Sequence, residues 1–244
     1  MTAKRALVIV PTYNERENLP VLVAQLMQQA NVSVLVVDDQ SPDGTGAIAD
    51  ALAKEYPGRI EVMHRTGGRG LGRSYIDGIK MVLARGVSVD VICQMDADLS
   101  HDPSRLPALI AATEHADIVI GSRYVPGGAI VNWPRRRRML SRFANTYIRL
   151  VTRLKARDCT SGYRCWRRDA LARLPLDRFG SEGYSFLVEM LYIASANRFR
   201  IAEVPITFVE RRLGESKLSS AVLVESALTP WRLVATKSRD RAIV

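Results

Sequence analysis

The sequence predicts an α/β fold, a mostly parallel sheet flanked by helices, on three observations. Short apolar runs rich in Val and Ile alternate, through residue 122, with stretches whose apolar residues recur at helical spacing. The links between them are short, and strands joined through a crossover helix pair in parallel. Three of the runs end in acidic or polar loops, at 11–15, 38–43 and 96–102, which a parallel sheet gathers on the rim where ligands bind.

Residues 5–10 carry Ala-Leu-Val-Ile-Val behind a basic end and suit a buried strand; Pro11-Thr12-Tyr13-Asn14-Glu15 follows as a polar loop. Asn18 is placed to cap a helix to about residue 29, whose Leu19, Leu22, Val23, Leu26 and Met27 fall on one face. A strand over 32–37 ends in Asp38-Asp39, and Ser41-Pro42-Asp43-Gly44-Thr45 forms a turn into a helix over 46–56. A third strand over 59–64 leads through Gly67-Gly68-Arg69-Gly70-Leu71-Gly72 to a helix ending near 85. That glycine stretch follows the third strand, contains no clean Gly-x-Gly-x-x-Gly, and has no acid closing a strand about 20 residues on, which favours a flexible turn and a close-packed helix start over a dinucleotide loop. The strand at 91, a helix over 104–115 and a strand over 117–121 complete the alternation.

The stretch from Val89 to Pro103 organises the rest. It starts as a β-branched apolar run and ends in Asp96, Asp98, Ser100 and Asp102. Asp96 and Asp98 point the same way in an extended chain, and where the chain turns both carboxylates can converge on one hard cation, Mg²⁺ or Mn²⁺, that keeps positions open for phosphates. An Asp-x-Asp pair is also common in solvated turns; the two other polar loops on the same rim are what favour the metal.

At 244 residues, 47% hydrophobic and 25% charged, the chain can bury a substantial core. Cys93, Cys159 and Cys165 form no disulfide framework and no metal-spaced pair, which points to a reducing cytoplasm. The N-terminus runs straight into a strand, without a secretory cleavage site. The charge-free stretch 18–37 holds Pro20, Gln25, Gln28, Gln29, Asn31 and Ser33, so it reads as helix then strand and not as a membrane span. The net charge of +10 is concentrated: residues 1–122 carry −4, residues 123–178 +12 and residues 179–244 +2. Such a basic block suits nucleic acid, an anionic membrane or phosphorylated ligands, and composition does not choose among them.

In order, Pro11-Thr12-Tyr13-Asn14-Glu15, Asp38-Asp39-x-Ser41-Pro42-Asp43-Gly44-Thr45, Asp96-Ala97-Asp98-Leu99-Ser100-His101-Asp102-Pro103 and Gly121-Ser122-Arg123-Tyr124 resemble the family 2 glycosyltransferases of the GT-A (Rossmann-like) fold. Thr160-Ser161-Gly162-Tyr163-Arg164 and Arg211-x-x-Gly214-x-Ser216-Lys217 resemble, within these, the polyprenol (dolichol) phosphate mannose synthases. The match spans about residues 5–220, and its motifs are specific as an ordered set and weak singly.

The resemblance implies a single GT-A domain over 1–244 and an inverting transfer of mannose from GDP-mannose to a polyprenyl phosphate. Pro11, Tyr13, Glu15, Val37 and Asp39 are implied to cradle guanine and ribose. Asp96 and Asp98, with Ala97 between them, are implied to hold the metal on the diphosphate, and Arg211 and Lys217 to neutralise its oxygens. Arg123 is implied to face the acceptor phosphate, with Ser161 and Gly162 beside it. Many relatives have Gln where this chain has Ser100, which leaves the third metal ligand open between the shorter hydroxyl itself and a water it holds, and a Lys near Gly68, where either Arg69 supplies the charge or the loop simply differs. An acceptor already ionised at neutral pH needs no strong base, so Asp98 reads as metal ligand and orienter.

Over 132–154, Met139, Leu140, Phe143, Tyr147, Leu150, Val151 and Leu154 recur at helical spacing among Arg135, Arg136, Arg137, Arg138, Arg142, Arg149 and Arg153. An amphipathic basic helix of this kind suits an anionic membrane interface, and the plain alternative is a surface helix packed on its own domain. A second helix over 218–236, interrupted near Pro230, is placed to pair with it. With no anchor of its own, the chain reaches its lipid by peripheral docking on the cytoplasmic face or through a separate membrane-anchoring protein. Another donor such as UDP-glucose stays open. A nucleic-acid role for the basic block stays open too, but it gives no reason for three acidic or polar strand ends. His64, His101 and His115 share no ligand spacing, and His101 reads as a brace of the site loop. Glu189, in an apolar helix, is expected to brace a buried arginine such as Arg123 or Arg164.

Overall fold

The computed structural model describes residues 4–86, 88–181, 183–210 and 220–236. The first half follows the alternating pattern: β1 (Ala6–Thr12), α1 (Asn18–Met27), β2 (Val32–Asp38), α2 (Thr45–Glu55), β3 (Ile60–His64), α3 (Leu71–Ala84) and β4 (Val91–Gln94). A 3-10 turn at Pro103–Arg105 leads into α4 (Leu106–Ala112) and β5 (Ile118–Ser122). Then come β6 (Ala129–Val131), α5 (Arg135–Thr152), β7 (Arg164–Arg167), α6 (Arg168–Leu171), α7 (Gly183–Ala196), β8 (Ile201–Pro205), β9 (Thr207–Val209) and α8 (Ser220–Thr236).

Seven strands form one sheet in the order β3-β2-β1-β4-β7-β5-β8, and β6 pairs with β9 beside it. All the pairs are parallel except those of β7, which runs antiparallel between β4 and β5. Alternation along β1 sends Leu7 and Ile9 to the α3 and α7 face and Ala6, Val8 and Val10 to the face covered by α1, α2 and α4. Each large side chain so buried contributes about 1.5–3 kcal/mol, which makes these two layers the main source of stability. Helix α3 sits close on the sheet because residue 78 is glycine: a Cβ there would lie 3.0 Å from Ile9 Cγ2 and 3.1 Å from Val37 Cγ2.

Several local expectations need correction. Asn18 does not cap α1: Glu17 holds that position without a side-chain bond, and Asn18 Nδ2 donates instead to Glu15 Oε2 at 2.8 Å. The helix placed over 104–115 opens as a 3-10 turn capped by Asp102, which accepts from Ser104 N at 2.9 Å, and α4 ends at Ala112. Glu189 braces neither Arg123 nor Arg164; its Oε2 accepts the amide of Ser181 at 3.0 Å. The three cysteines are free and buried, with Cys93 and Cys165 opposite each other across β4 and β7.

Helix α5 turns its apolar side outward. Met139, Leu140, Phe143 and Leu150 are 58–75% exposed, while the helix buries Asn145, Ile148 and Thr152 against the domain. Tyr147 Oη donates to the Ala227 carbonyl at 2.7 Å and ties α5 to α8, which exposes Leu228, Trp231 and Val234 alongside. No helix among the described residues is long and apolar enough to cross a membrane.

Candidate active site

Parallel pairing of β1 and β2 brings their carboxyl-terminal loops together, and hydrogen bonds join them. Asp39 N donates to Thr12 O at 2.9 Å, Asn14 N to Ser41 Oγ at 3.2 Å and Glu15 N to Thr45 Oγ1 at 2.9 Å. Asn14, Gln40 and Leu99, one in each of the three loops, stand at φ 60°, a left-handed conformation that costs a non-glycine residue about 1–2 kcal/mol. That all three strand ends hold such a residue marks the rim as the specialised end of the sheet.

Of the residues read as nucleoside contacts, Pro11, Tyr13 and Glu15 lie partly exposed on this rim. Arg69 crosses to it: its Nη1 donates to Tyr13 Oη at 2.6 Å and its guanidinium lies 5.2 Å from the ring centre. Asp39 is buried and occupied, one oxygen on Arg65 Nη1 and the other accepting from Gly70 N at 2.8 Å. It therefore anchors the glycine-rich loop instead of presenting an open carboxylate. Val37 and Ala97 are buried, and Val37 packs against Gly78 of α3.

Two residues beyond β4, Asp96 and Asp98 open on one cleft. Tyr75 Oη donates to Asp96 Oδ1 at 3.3 Å, and Asp96 N donates to Nδ1 of His101 at 3.3 Å. His101 is itself held by the Tyr163 ring, stacked at 5.1 Å, and by the edge of Phe208 at 5.6 Å, which makes it a brace of the loop. The turn at Leu99 brings Ser100 N to Asp98 Oδ1 at 3.1 Å, while Ser100 Oγ is buried without a hydrogen-bond partner among the described residues. Among the described residues there is no group of three or more His, Cys, Asp or Glu set to hold a metal. Two carboxylates on one cleft and an orphaned hydroxyl fit a hard cation that draws its other ligands from phosphate and water.

The same cleft is also lined by cations. Arg123 is buried against Asp158, with Nε and Nη2 at 2.7 Å from its two oxygens, and Nη2 reaches Thr160 Oγ1 at 2.8 Å. Asn145 of α5 secures this segment by accepting from Cys159 N at 2.7 Å and donating to Thr160 Oγ1 at 3.1 Å. Arg164, fully buried, spreads its guanidinium over the carbonyls of Cys159, Ser161 and Leu187; burial lowers its pKa to about 10, so it stays charged at neutral pH. Ser161 and Gly162 line the cleft, but the Ser161 hydroxyl is engaged by Gly121 O at 2.6 Å, so its part is structural.

The basic run divides. Arg135, Arg136, Arg138 and Arg142 are exposed, whereas Arg137 lines the cleft, pairs with Glu210 and lies 4.1 Å over the Trp133 ring. Of the five arginines expected at a membrane interface, Arg137 therefore departs from the other four, because its helical position turns it toward the cleft. Sequence reasoning also missed Asp158, Trp133 and Phe208; the one available signal was the aromatic residue just ahead of the arginine run. Arg211 and Lys217 lie outside the described residues.

Residues 7–174 match the family described as Glycosyl transferase family 2. The chain is 47% identical over 245 residues to a polyprenol monophosphomannose synthase of Mycolicibacterium smegmatis, covering 99% of this chain and 92% of the relative. It is 49% identical over 234 residues to an undecaprenyl-phosphate mannosyltransferase of Micrococcus luteus, covering 95% of each. Among solved structures it is similar to glucosyl-3-phosphoglycerate synthase of Mycobacterium tuberculosis in complex with Mn²⁺, UDP and glucosyl-3-phosphoglycerate, with TM-score 0.66 and 17% identity over 96% of this chain and 80% of that one. A mannosyltransferase of Pyrobaculum calidifontis in complex with GDP-Man and Mn²⁺ gives TM-score 0.57 and 18% identity, over 100% of this chain and 77% of the other. At those identities the two structures show the fold alone.

Proposed function

Because the chain belongs to glycosyl transferase family 2, we propose that this GT-A enzyme moves mannose from GDP-mannose to a polyprenyl phosphate, inverting the anomeric carbon to give β-mannosyl phosphoprenol. The observation that carries this reading is one cleft lined by both Asp96 and Asp98 and by Arg123 and Arg137. Near-full-length identity to two mannosyltransferases with lipid-phosphate names supports the sugar and the acceptor class.

The chemistry asks for little acid or base. The bond from mannose C1 to the diphosphate breaks, an acceptor phosphate oxygen bonds to C1 from the opposite side, and GDP leaves. Mg²⁺ or Mn²⁺ held by Asp96 and Asp98, with Ser100 beside them, would neutralise the charge that builds on the diphosphate. In this reading Arg211 and Lys217 serve the same oxygens. Arg123, fixed by Asp158, and Arg137, fixed by Glu210 and Trp133, hold the acceptor phosphate and align it with C1. Pro11, Tyr13, Glu15 and Arg69 meet base and ribose, and Asp39 contributes through the loop it anchors.

The outward apolar faces of α5 and α8, flanked by Arg135, Arg136, Arg138 and Arg142, support peripheral docking on an anionic membrane, where the acceptor resides. A competition titration tests the donor: GDP is expected to displace a labelled nucleotide sugar far better than UDP. Equal or tighter binding of UDP would replace GDP-mannose with a uridine donor.

A further inference from the structure

The link between the nucleoside side of the rim and Asp96 runs through a residue given no role so far. Tyr75 lies in the second turn of α3, fully buried, and its hydroxyl reaches the Asp96 carboxylate at 3.3 Å. Its ring is fixed from behind by Phe186 of α7, at 6.2 Å with the planes 9° from parallel. The start of α3 is fixed in turn by Asp39, which takes Gly70 N, and by Arg65, which joins Asp39, Gly68 O and Asp77 of α3. Gly162 lies beside the same carboxylate; a Cβ there would stand 3.1 Å from Asp96 Oδ2 and 3.3 Å from Oδ1.

We propose that Tyr75 is a positioning residue for the metal: its hydroxyl holds one Asp96 oxygen against Gly162 so that the carboxylate enters the cleft in a single orientation. A hydrogen bond behind a ligating carboxylate restricts its rotation and tunes its affinity for a cation, and loss of such a partner typically costs about 10–100-fold in metal affinity or activity. The geometry also explains why a hydroxyl is carried deep among apolar side chains, where it is costly unless bonded. This inference rests on the assignment of Asp96 as a metal ligand.

The test measures Mn²⁺ binding by electron paramagnetic resonance with GDP present, for the unaltered chain, Y75F and D96N. Y75F keeps the ring and its stacking and removes only the hydroxyl; thermal melting and metal-free GDP binding report whether the packing around α3 survives. The expected result is a rise of about tenfold in the Mn²⁺ dissociation constant for Y75F, near-complete loss of Mn²⁺ binding for D96N, and unchanged metal-free GDP affinity in Y75F. Wild-type Mn²⁺ affinity in Y75F beside loss in D96N would overturn the role of Tyr75 alone. Unchanged Mn²⁺ binding in D96N would overturn the metal assignment and the inference with it. Were Y75F to fall in metal-free GDP binding by the same factor, the hydroxyl would be a packing element of α3 and the proposal would be wrong.

Discussion

Asp158 and Arg123 form a buried two-point ion pair, with the carboxylate fully enclosed and the guanidinium held by both oxygens at 2.7 Å. The pair joins the cleft, which Arg123 lines, to the segment before β7. A buried charge that loses its partner is destabilising by about 3–5 kcal/mol, which outweighs what either group gains from solvent. Asp158→Ala is therefore expected to lower stability by about that amount in a denaturant titration and to raise the KM for acceptor. A change under about 1 kcal/mol would mean that Thr160 and the rings of Trp133 and Phe208, whose centres lie 5.7 and 5.4 Å from the guanidinium, hold Arg123 unaided.

Gly162→Ala tests the surroundings of Asp96. The added methyl meets both Asp96 oxygens at 3.1–3.3 Å, so the carboxylate must yield by a few tenths of an ångström. The metal concentration for half-maximal activity is expected to rise several-fold while melting temperature moves little. An unchanged metal curve would show that Asp96 has slack at this position.

Much of this was legible in the sequence, for stated physical reasons. Alternating β and α periodicities placed the strands through β5, and the polar strand ends placed the rim. The antiparallel β7 was not legible, since a four-residue strand between Arg164 and Arg167 carries neither pattern. Glu189 was an attractive partner for a buried arginine because it interrupts an apolar helix, yet Asp158, in an unremarkable polar turn, is what Arg123 meets. Helical spacing showed that α5 is amphipathic but not which way it faces. Only tertiary contacts reveal that Asn145 and Thr152 go inward and Phe143 and Leu150 outward.

The division within the arginine run predicts two phenotypes. Replacing Arg135, Arg136, Arg138 and Arg142 with Gln should weaken binding to anionic vesicles by at most about 4 kcal/mol, at roughly 1 kcal/mol for each charge before salt screening, and leave GDP binding unchanged. Arg137→Gln should leave vesicle binding nearly intact and reduce turnover. Cosedimentation and steady-state kinetics on both proteins separate the two, and the reverse pattern would return Arg137 to the membrane face.

His64 gives a pH dependence remote from the cleft. Its hydrogen bond to Asp50 at 2.9 Å raises its pKa above the ordinary 6.5, against a smaller opposing effect of burial, with Asp38 adding to the rise. A raised folded-state pKa means that stabilisation is complete below pH about 6.5 and is lost as pH climbs through the folded value. Melting temperatures followed upward from acidic pH should decline through that window, and the decline should flatten in His64→Gln. The same decline in His64→Gln would assign it to another group.

The most direct measurement of the central claim is product analysis with unaltered and Asp98→Asn protein, each given GDP-mannose or UDP-glucose and membranes containing polyprenyl phosphate under saturating Mn²⁺ or Mg²⁺. The account predicts an acid-labile mannosyl lipid from GDP-mannose with the unaltered chain, none from UDP-glucose, and none with Asp98→Asn, which has lost one of two anionic ligands in a site with few others. A lipid product from UDP-glucose in place of GDP-mannose would contradict the donor assignment, and near-normal transfer by Asp98→Asn would contradict the metal site on which the mechanism stands.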